Sequence, residues 1–108
     1  MRNYALDDTA CRDGRDADAD ASEILTYLER EAGLLTASDY ERRFNTAIER
    51  LVDIPGIGAP RRSLGPNARI MVVYPYVLVY DYMQQDDTIT LLRILHGRRN
   101  ITRDLLKR

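Results

Sequence analysis

Apolar residues recur at helical spacing in the first half of this chain and at strand-like spacing in its last third. Ile24, Leu25 and Leu28, with Ala21 behind them, form one apolar stripe. This predicts a helix over about residues 21–31, stopped by Gly33. Tyr40, Phe44, Ala47, Ile48 and Leu51 follow at i, i+4, i+7, i+8 and i+11, one face of a second helix. Its opposite face carries Arg42, Arg43, Glu49 and Arg50. Ser38-Asp39-Tyr40-Glu41 reads as a capping box with Ser38 as N-cap. The helix is expected to end near Asp53, because Pro55 disfavours helical geometry at Ile54.

The period then changes. Arg69–Tyr74 and Tyr76–Tyr82 are rich in Val, Ile and Tyr, with Pro75 between them. Proline is not tolerated inside a central strand, so a hairpin tip or bulge is expected there. Gln84–Asp87 marks a turn, and Thr88–Leu95 a third strand. Strict alternation would put Ile89, Leu91, Arg93 and Leu95 on one face and Thr88, Thr90, Leu92 and Ile94 on the other. Both faces are largely apolar, which suits a central strand with one face on the helices and the other partly covered. Ile54–Pro60 is a glycine-punctuated connector, and Gly65-Pro66-Asn67 another turn. Asn3–Leu6 reads as a short first strand, and residues 102–108 as one helical turn or a loose tail. The order is strand, helix, helix, strand, strand, strand. It predicts an α+β fold: a two-helix hairpin on one face of a mainly antiparallel sheet of three to four strands.

Composition adds bounds. A chain of 108 residues suits a single domain, with 44% hydrophobic and 31% charged residues marking it as soluble and globular. No apolar run is long enough to span a bilayer, and Asp7, Asp8, Arg12 and Asp13 break up any signal-like stretch, so the expected location is cytoplasmic. With Cys11 and His96 the only residues of their types, neither a disulfide nor a Cys/His metal site is expected, and no cofactor. The net charge is −1, but it is unevenly spread. Residues 1–41 hold eleven acids and four bases; residues 42–108 hold six acids and twelve bases. The basic half can meet an acidic protein or nucleic-acid surface, or it is simply an unevenly charged solvated face. Asp13–Asp20, alternating acids with alanines, reads as a loop or a frayed helix start, its acids suited to the positive end of the helix that follows.

The last third carries a resemblance. Leu92-Arg-Ile-Leu-His-Gly-Arg-Arg-Asn-Ile101 resembles the end of ParE/RelE toxins of bacterial type II toxin–antitoxin pairs, where a strand bearing an arginine runs into a His-Gly-Arg segment. Tyr76-Val-Leu-Val-Tyr80 is similar to the preceding strand of that family, Ile54–Pro60 to its link after the second helix, and Gly65-Pro66 followed by Arg69 also fits. The resemblance covers about residues 24–101, and the toxin domain is expected to occupy 1–108. Residues 7–20 depart from the pattern, being longer and more acidic than the usual first connection.

The resemblance implies a growth-inhibiting toxin held in check by an antitoxin, expected to be of ribbon-helix-helix type, and it implies one of two mechanisms. ParE-like members inhibit DNA gyrase. RelE-like members cut messenger RNA on the ribosome and need cations around the scissile phosphate. Met71–Tyr82 contains no Lys or Arg, which favours the ParE-like branch and a binding protein over an enzyme. If the chain were a nuclease, Arg61, Arg62, Arg69, Arg93 and His96 would be its candidates. A third reading is an inactive module that only engages an antitoxin. Arg93, His96, Arg98 and Arg99 form the candidate target-contact patch; direct nucleic-acid contact stays open. For Arg93 an ion pair with an acid of the first helix is the competing reading. For His96 the preferred reading is structural, holding the Gly97 turn, over proton transfer near a phosphate. An antitoxin is expected to lie along the helix pair and sheet edge, with Leu28, Tyr40, Phe44, Tyr76 and Tyr80 as contacts. The alternating tyrosines are read as sheet packing with their hydroxyls at the surface.

Overall fold

A computed structural model describes residues 3–5, 13–99 and 101–106. The chain forms β1 (Asn3–Ala5), α1 (Asp13–Ala32), α2 (Leu34–Asp53), β2 (Ala59–Pro60), β3 (Ala68–Val73), β4 (Tyr76–Met83) and β5 (Thr88–His96). Single 3-10 turns occupy Pro55–Ile57 and Arg103–Leu106. The sheet order is β1-β5-β4-β3-β2, all neighbours antiparallel except β1 with β5. This is the α+β architecture expected, with the two-residue β2 added at one edge. The expectation for Cys11 falls outside the described residues.

Both helices begin earlier than their apolar stripes suggest. The Asp13–Asp20 run is helical, not a loop. Alanine is the best helix former, and acids in the first turns oppose the helix dipole favourably. Ala17 is also buried in the core, so the added turns bring packing of their own. Likewise Ser38 is not an N-cap. Gly33 takes a positive φ of 97°, its N–H bonding back to Glu29 O at 3.1 Å while its own carbonyl accepts the N–H of Ala37 at 3.1 Å. One residue therefore closes α1 and opens α2, which starts at Leu34 and leaves Ser38 and Glu41 on an exposed helical surface. Glycine reaches that φ without a Cβ penalty, so no longer loop is needed.

The core has two layers. Phe44, Ala47 and Leu51 of α2 meet Leu78, Tyr80, Ile89, Leu91 and Ile94 between the helices and the sheet. On the other face, Leu64, Val77, Val79, Leu92 and Leu95 are covered by Ile101, Leu105 and Leu106. Strict alternation in the last strand fails at one place. Val79 pairs with Arg93 but Tyr80 pairs with Leu91, so Leu92 is an extra residue, a bulge. A one-residue insertion exchanges the faces beyond it. Leu91 and Ile94 thus share the helix side, and Leu92 and Leu95 the other. Arg93 keeps Leu95 as a face-mate but parts from Ile89 and Leu91. Pro75 sits at the β3–β4 hairpin tip, as its position in the sequence predicts.

Candidate functional site

The turn after β5 is built from the strand pairing upward. His96 stands opposite Tyr76 in the register, and their rings meet edge to face at 5.5 Å. Tyr76 in turn packs edge-on against Phe44 (5.7 Å) and Tyr40 (5.8 Å) of α2. A row of four rings therefore ties the end of β5 to the second helix. His96 Nδ1 accepts the N–H of Arg98 at 3.0 Å, its carbonyl accepts the N–H of Arg99 at 3.0 Å, and Gly97 N–H donates to Pro75 O at 2.7 Å. A Cβ at Gly97 would stand 3.1 Å from that same oxygen, so the glycine lets the turn close on the hairpin tip. His96 holds the turn; Arg98 and Arg99 project from it, exposed.

Arg93 is engaged elsewhere. Its Nε and one terminal nitrogen fork onto the carboxylate of Asp20 at 2.7 and 3.0 Å, and the other terminal nitrogen donates to Leu105 O at 2.6 Å. The hydrogen bonds it donates to Asp20 raise the guanidinium pKa above its ordinary value, against the opposing effect of burial. Asp20 also accepts the N–H of Ile94 at 2.9 Å, on the strand edge that β1, paired only as far as Thr90, leaves uncovered. Arg93 is thus a clasp joining α1, β5 and the C-terminal turn, the ion-pair reading and not the free-surface one.

The remaining candidates do not converge. Arg69 donates to Gly58 O at 2.6 Å and Gly56 O at 3.2 Å, fastening the connector after α2. Arg61 pairs its N–H with Ala68 O at the far edge of the sheet. His96 is level with Val73 on β3 through Tyr76, five residues further along that strand than Ala68. That is a separation of about 17 Å along the strand direction alone. Arg61, Arg62, Arg69, Arg93 and His96 therefore do not line one site.

Of the expected antitoxin contacts, Leu28 and Tyr40 are half-buried on the helix surface. Phe44, Tyr76 and Tyr80 are core residues and present no contact surface, a correction that follows from their burial. Nor does the Tyr80 hydroxyl lie at the surface: it donates to Pro55 O at 2.7 Å and accepts the N–H of Gly58 at 2.9 Å, wholly inside. Burial raises its pKa, and burial raises that of Tyr76 also.

A surface that single-residue reasoning passed over lies between α2 and β3. It is a groove of about 550 Å³, bounded by Asp39, Arg42, Arg43 and Arg50 on the helix and by Met71, Val72, Val73 and Tyr74 on the strand. Asp39 pairs with both Arg42 and Arg43, and Arg43 lies over the Tyr40 ring at 5.1 Å. Val72 and Tyr74 are 59% and 81% exposed, high for apolar residues beside a sheet edge. The signal was present in the sequence as the arginine face of the second helix, but only the fold sets it beside an uncovered strand.

Comparison with known proteins agrees with this architecture. Residues 14–101 match the family described as ParE toxin of type II toxin-antitoxin system, parDE. The chain is 32% identical to Toxin ParE1 of Caulobacter vibrioides over 86 residues, covering 80% of this chain and 86% of that protein. Toxin ParE3 of the same organism is 29% identical over 94 residues, covering 87% and 92%. A solved structure titled as the chromosomal ParDE TA system from P. aeruginosa superposes with a TM-score of 0.68 at 20% identity, over 89% of this chain and 96% of that one, which shows a shared fold. No described helix is long and apolar enough to cross a membrane. By this match over most of its length, the chain belongs to the ParE toxin family of type II toxin–antitoxin systems.

Proposed function

We propose that this toxin arrests bacterial growth in the cytoplasm by binding DNA gyrase, without catalysing a reaction, and that a cognate antitoxin of ribbon-helix-helix type neutralises it. The observation that carries the reading is the dispersal of the cations that RNA cleavage would require. Cleaving a phosphodiester builds charge at one phosphorus, and stabilising it needs several cations and a proton-transfer group within contact of one another. Here Arg93 and Arg69 are committed to Asp20 and to backbone carbonyls, and Arg61 and Arg62 lie at the opposite edge from His96. His96 spends Nδ1 on the turn. The exposed Arg98 and Arg99 suit contact with an acidic protein surface, where guanidinium forks meet carboxylates.

The test is DNA supercoiling by purified gyrase with the toxin added. Inhibition is expected, weakened when Arg98 and Arg99 are replaced by alanine. Uninhibited supercoiling together with cleavage of message in a translation extract would replace this reading with the nuclease one. Harmless expression without any antitoxin would point to an inactive binding module.

A further inference from the structure

We infer that the β3–β4 hairpin tip and the turn after β5 together form a binding surface for a single strand of DNA. The Tyr74 ring stacks beneath an unpaired base, and the guanidiniums of Arg98 and Arg99 hold the neighbouring phosphates. This surface goes beyond the proposed function; only the choice of DNA over RNA rests on it, because the proposed target works on DNA. The first observation is proximity. Gly97 N–H donates to Pro75 O at 2.7 Å. Tyr74 precedes Pro75 and Arg98 follows Gly97, so each stands one residue from that hydrogen bond. The ring and the guanidiniums therefore share one end of the sheet.

The second observation is what stands free there. Tyr74 is 81% exposed, and Arg98 and Arg99 are exposed beside it. Among the described residues neither guanidinium makes an ion pair. The backbone of the turn is closed on itself: the N–H groups of Gly97, Arg98 and Arg99 donate to Pro75 O, His96 Nδ1 and His96 O. An incoming anion therefore meets side chains on a fixed backbone, which limits the ordering that binding requires. The third observation is charge. Residues 97–108 hold five bases and one acid, and residues 68–80 one base and no acid, in a chain of net charge −1. Guanidinium forks fit carboxylates and phosphates alike. The ring decides between them. Every base has a π-face to stack on a tyrosine, whereas a carboxylate surface has none. A duplex keeps those faces within its own stack, so a strand with unpaired bases is the better fit.

The probe is a fluorescein-labelled thymidine oligonucleotide of about ten nucleotides, followed by anisotropy as the full-length toxin is added. Saturable binding is expected. Two phosphate contacts give a slope of about −1.4 in log affinity against log salt, a loss of about sevenfold between about 50 and about 200 mM. Arg98→Ala with Arg99→Ala should flatten that slope towards zero. Tyr74→Ala should weaken binding about tenfold and leave the slope as it is, while Tyr74→Phe keeps the parental affinity. Parental affinity in Tyr74→Ala overturns the surface. Displacement of the strand by polyglutamate as readily as by unlabelled oligonucleotide overturns it also, in favour of an acidic protein partner. Tighter binding of the matching duplex overturns the single-stranded assignment, and tighter binding of a uridine oligonucleotide overturns the choice of DNA. Supercoiling assays separate this surface from the proposed target. If the toxin inhibits gyrase but binds no strand, the surface is wrong and the target stands. If it binds the strand and leaves supercoiling untouched, the surface stands and the target falls.

Discussion

Replacing Tyr80 with phenylalanine removes one oxygen and tests how the connector after α2 is held. The Tyr80 side chain is fully buried, and its hydroxyl is both donor to Pro55 O and acceptor from Gly58 N–H. Both backbone partners belong to buried residues, so water cannot readily replace the lost oxygen. A buried polar group left without a partner costs about 1–3 kcal/mol, and here there are two. The gain in apolar character of the ring offsets part of this, leaving a net loss of about 2 kcal/mol. For a domain near this length, that lowers the melting temperature by roughly 8–16 °C.

The assay is thermal unfolding followed by circular dichroism, with urea unfolding to check that the slope is unchanged. A hydroxyl at the surface, as sheet alternation alone suggests, would give a change within about 0.5 kcal/mol, or a few degrees. A melting point within about 3 °C of the parent would therefore refute the buried-bridge account. Gly58→Ala approaches the same junction from the other side. Its Cβ would fall 2.5 Å from the Tyr80 oxygen and 2.6 Å from Ile70 O. The second clash is with backbone, so Gly58→Ala should remain destabilising even beside Tyr80→Phe.

Asp20→Asn should cost about 2 kcal/mol, because it leaves the part-buried Arg93 guanidinium without its carboxylate. In a double-mutant cycle with Arg93→Ala, most of that loss should vanish; additive losses would mean that the clasp carries no coupling. Arg93→Ala should also speed proteolysis within Ile101–Leu106, since Leu105 O loses its donor. Alkaline pH gives a further check. The pKa values of Tyr76 and Tyr80 lie above the ordinary 10.0, chiefly from burial, so the folded state holds these protons more tightly than the unfolded one. Their contribution is complete below about pH 10 and is lost as pH rises through the folded values. The melting temperature should fall above about pH 10, and less steeply in Tyr80→Phe; an equal slope in the two proteins would exclude Tyr80 as a source of the decline.

Elements with a strong period were legible from residue order. The α2 stripe, the Pro75 hairpin tip and the Gly33 stop each express a local rule, and local rules survive folding. What was not legible depended on tertiary context. Ser38 satisfies the capping pattern, but Gly33 turns the chain earlier and the helix forms without that cap. The alternating acids of Asp13–Asp20 are intelligible as helix only once Ala17 has a core to enter and Asp20 has Arg93 and Ile94 to meet. The bulge at Leu92 has no glycine to announce it, yet it decides which leucines face the helices. The tyrosines misled for the opposite reason. Their alternation predicts the face each ring takes but is silent on depth, and depth separates Tyr80, fully enclosed, from Tyr74, at 81% exposure.

The exposed turn after β5 presents arginines, while the aromatic residues near it lie largely inside. With Phe44, Tyr76 and Tyr80 enclosed, the rings serve to fix positions: Tyr76 bridges α2 to His96, and His96 shapes the turn that carries Arg98 and Arg99. The groove beside β3 ends at Tyr74, whose peptide bond to Pro75 is cis. Pro75 O is the acceptor that holds Gly97 at 2.7 Å. The groove and the turn that carries Arg98 and Arg99 therefore adjoin the same hairpin tip.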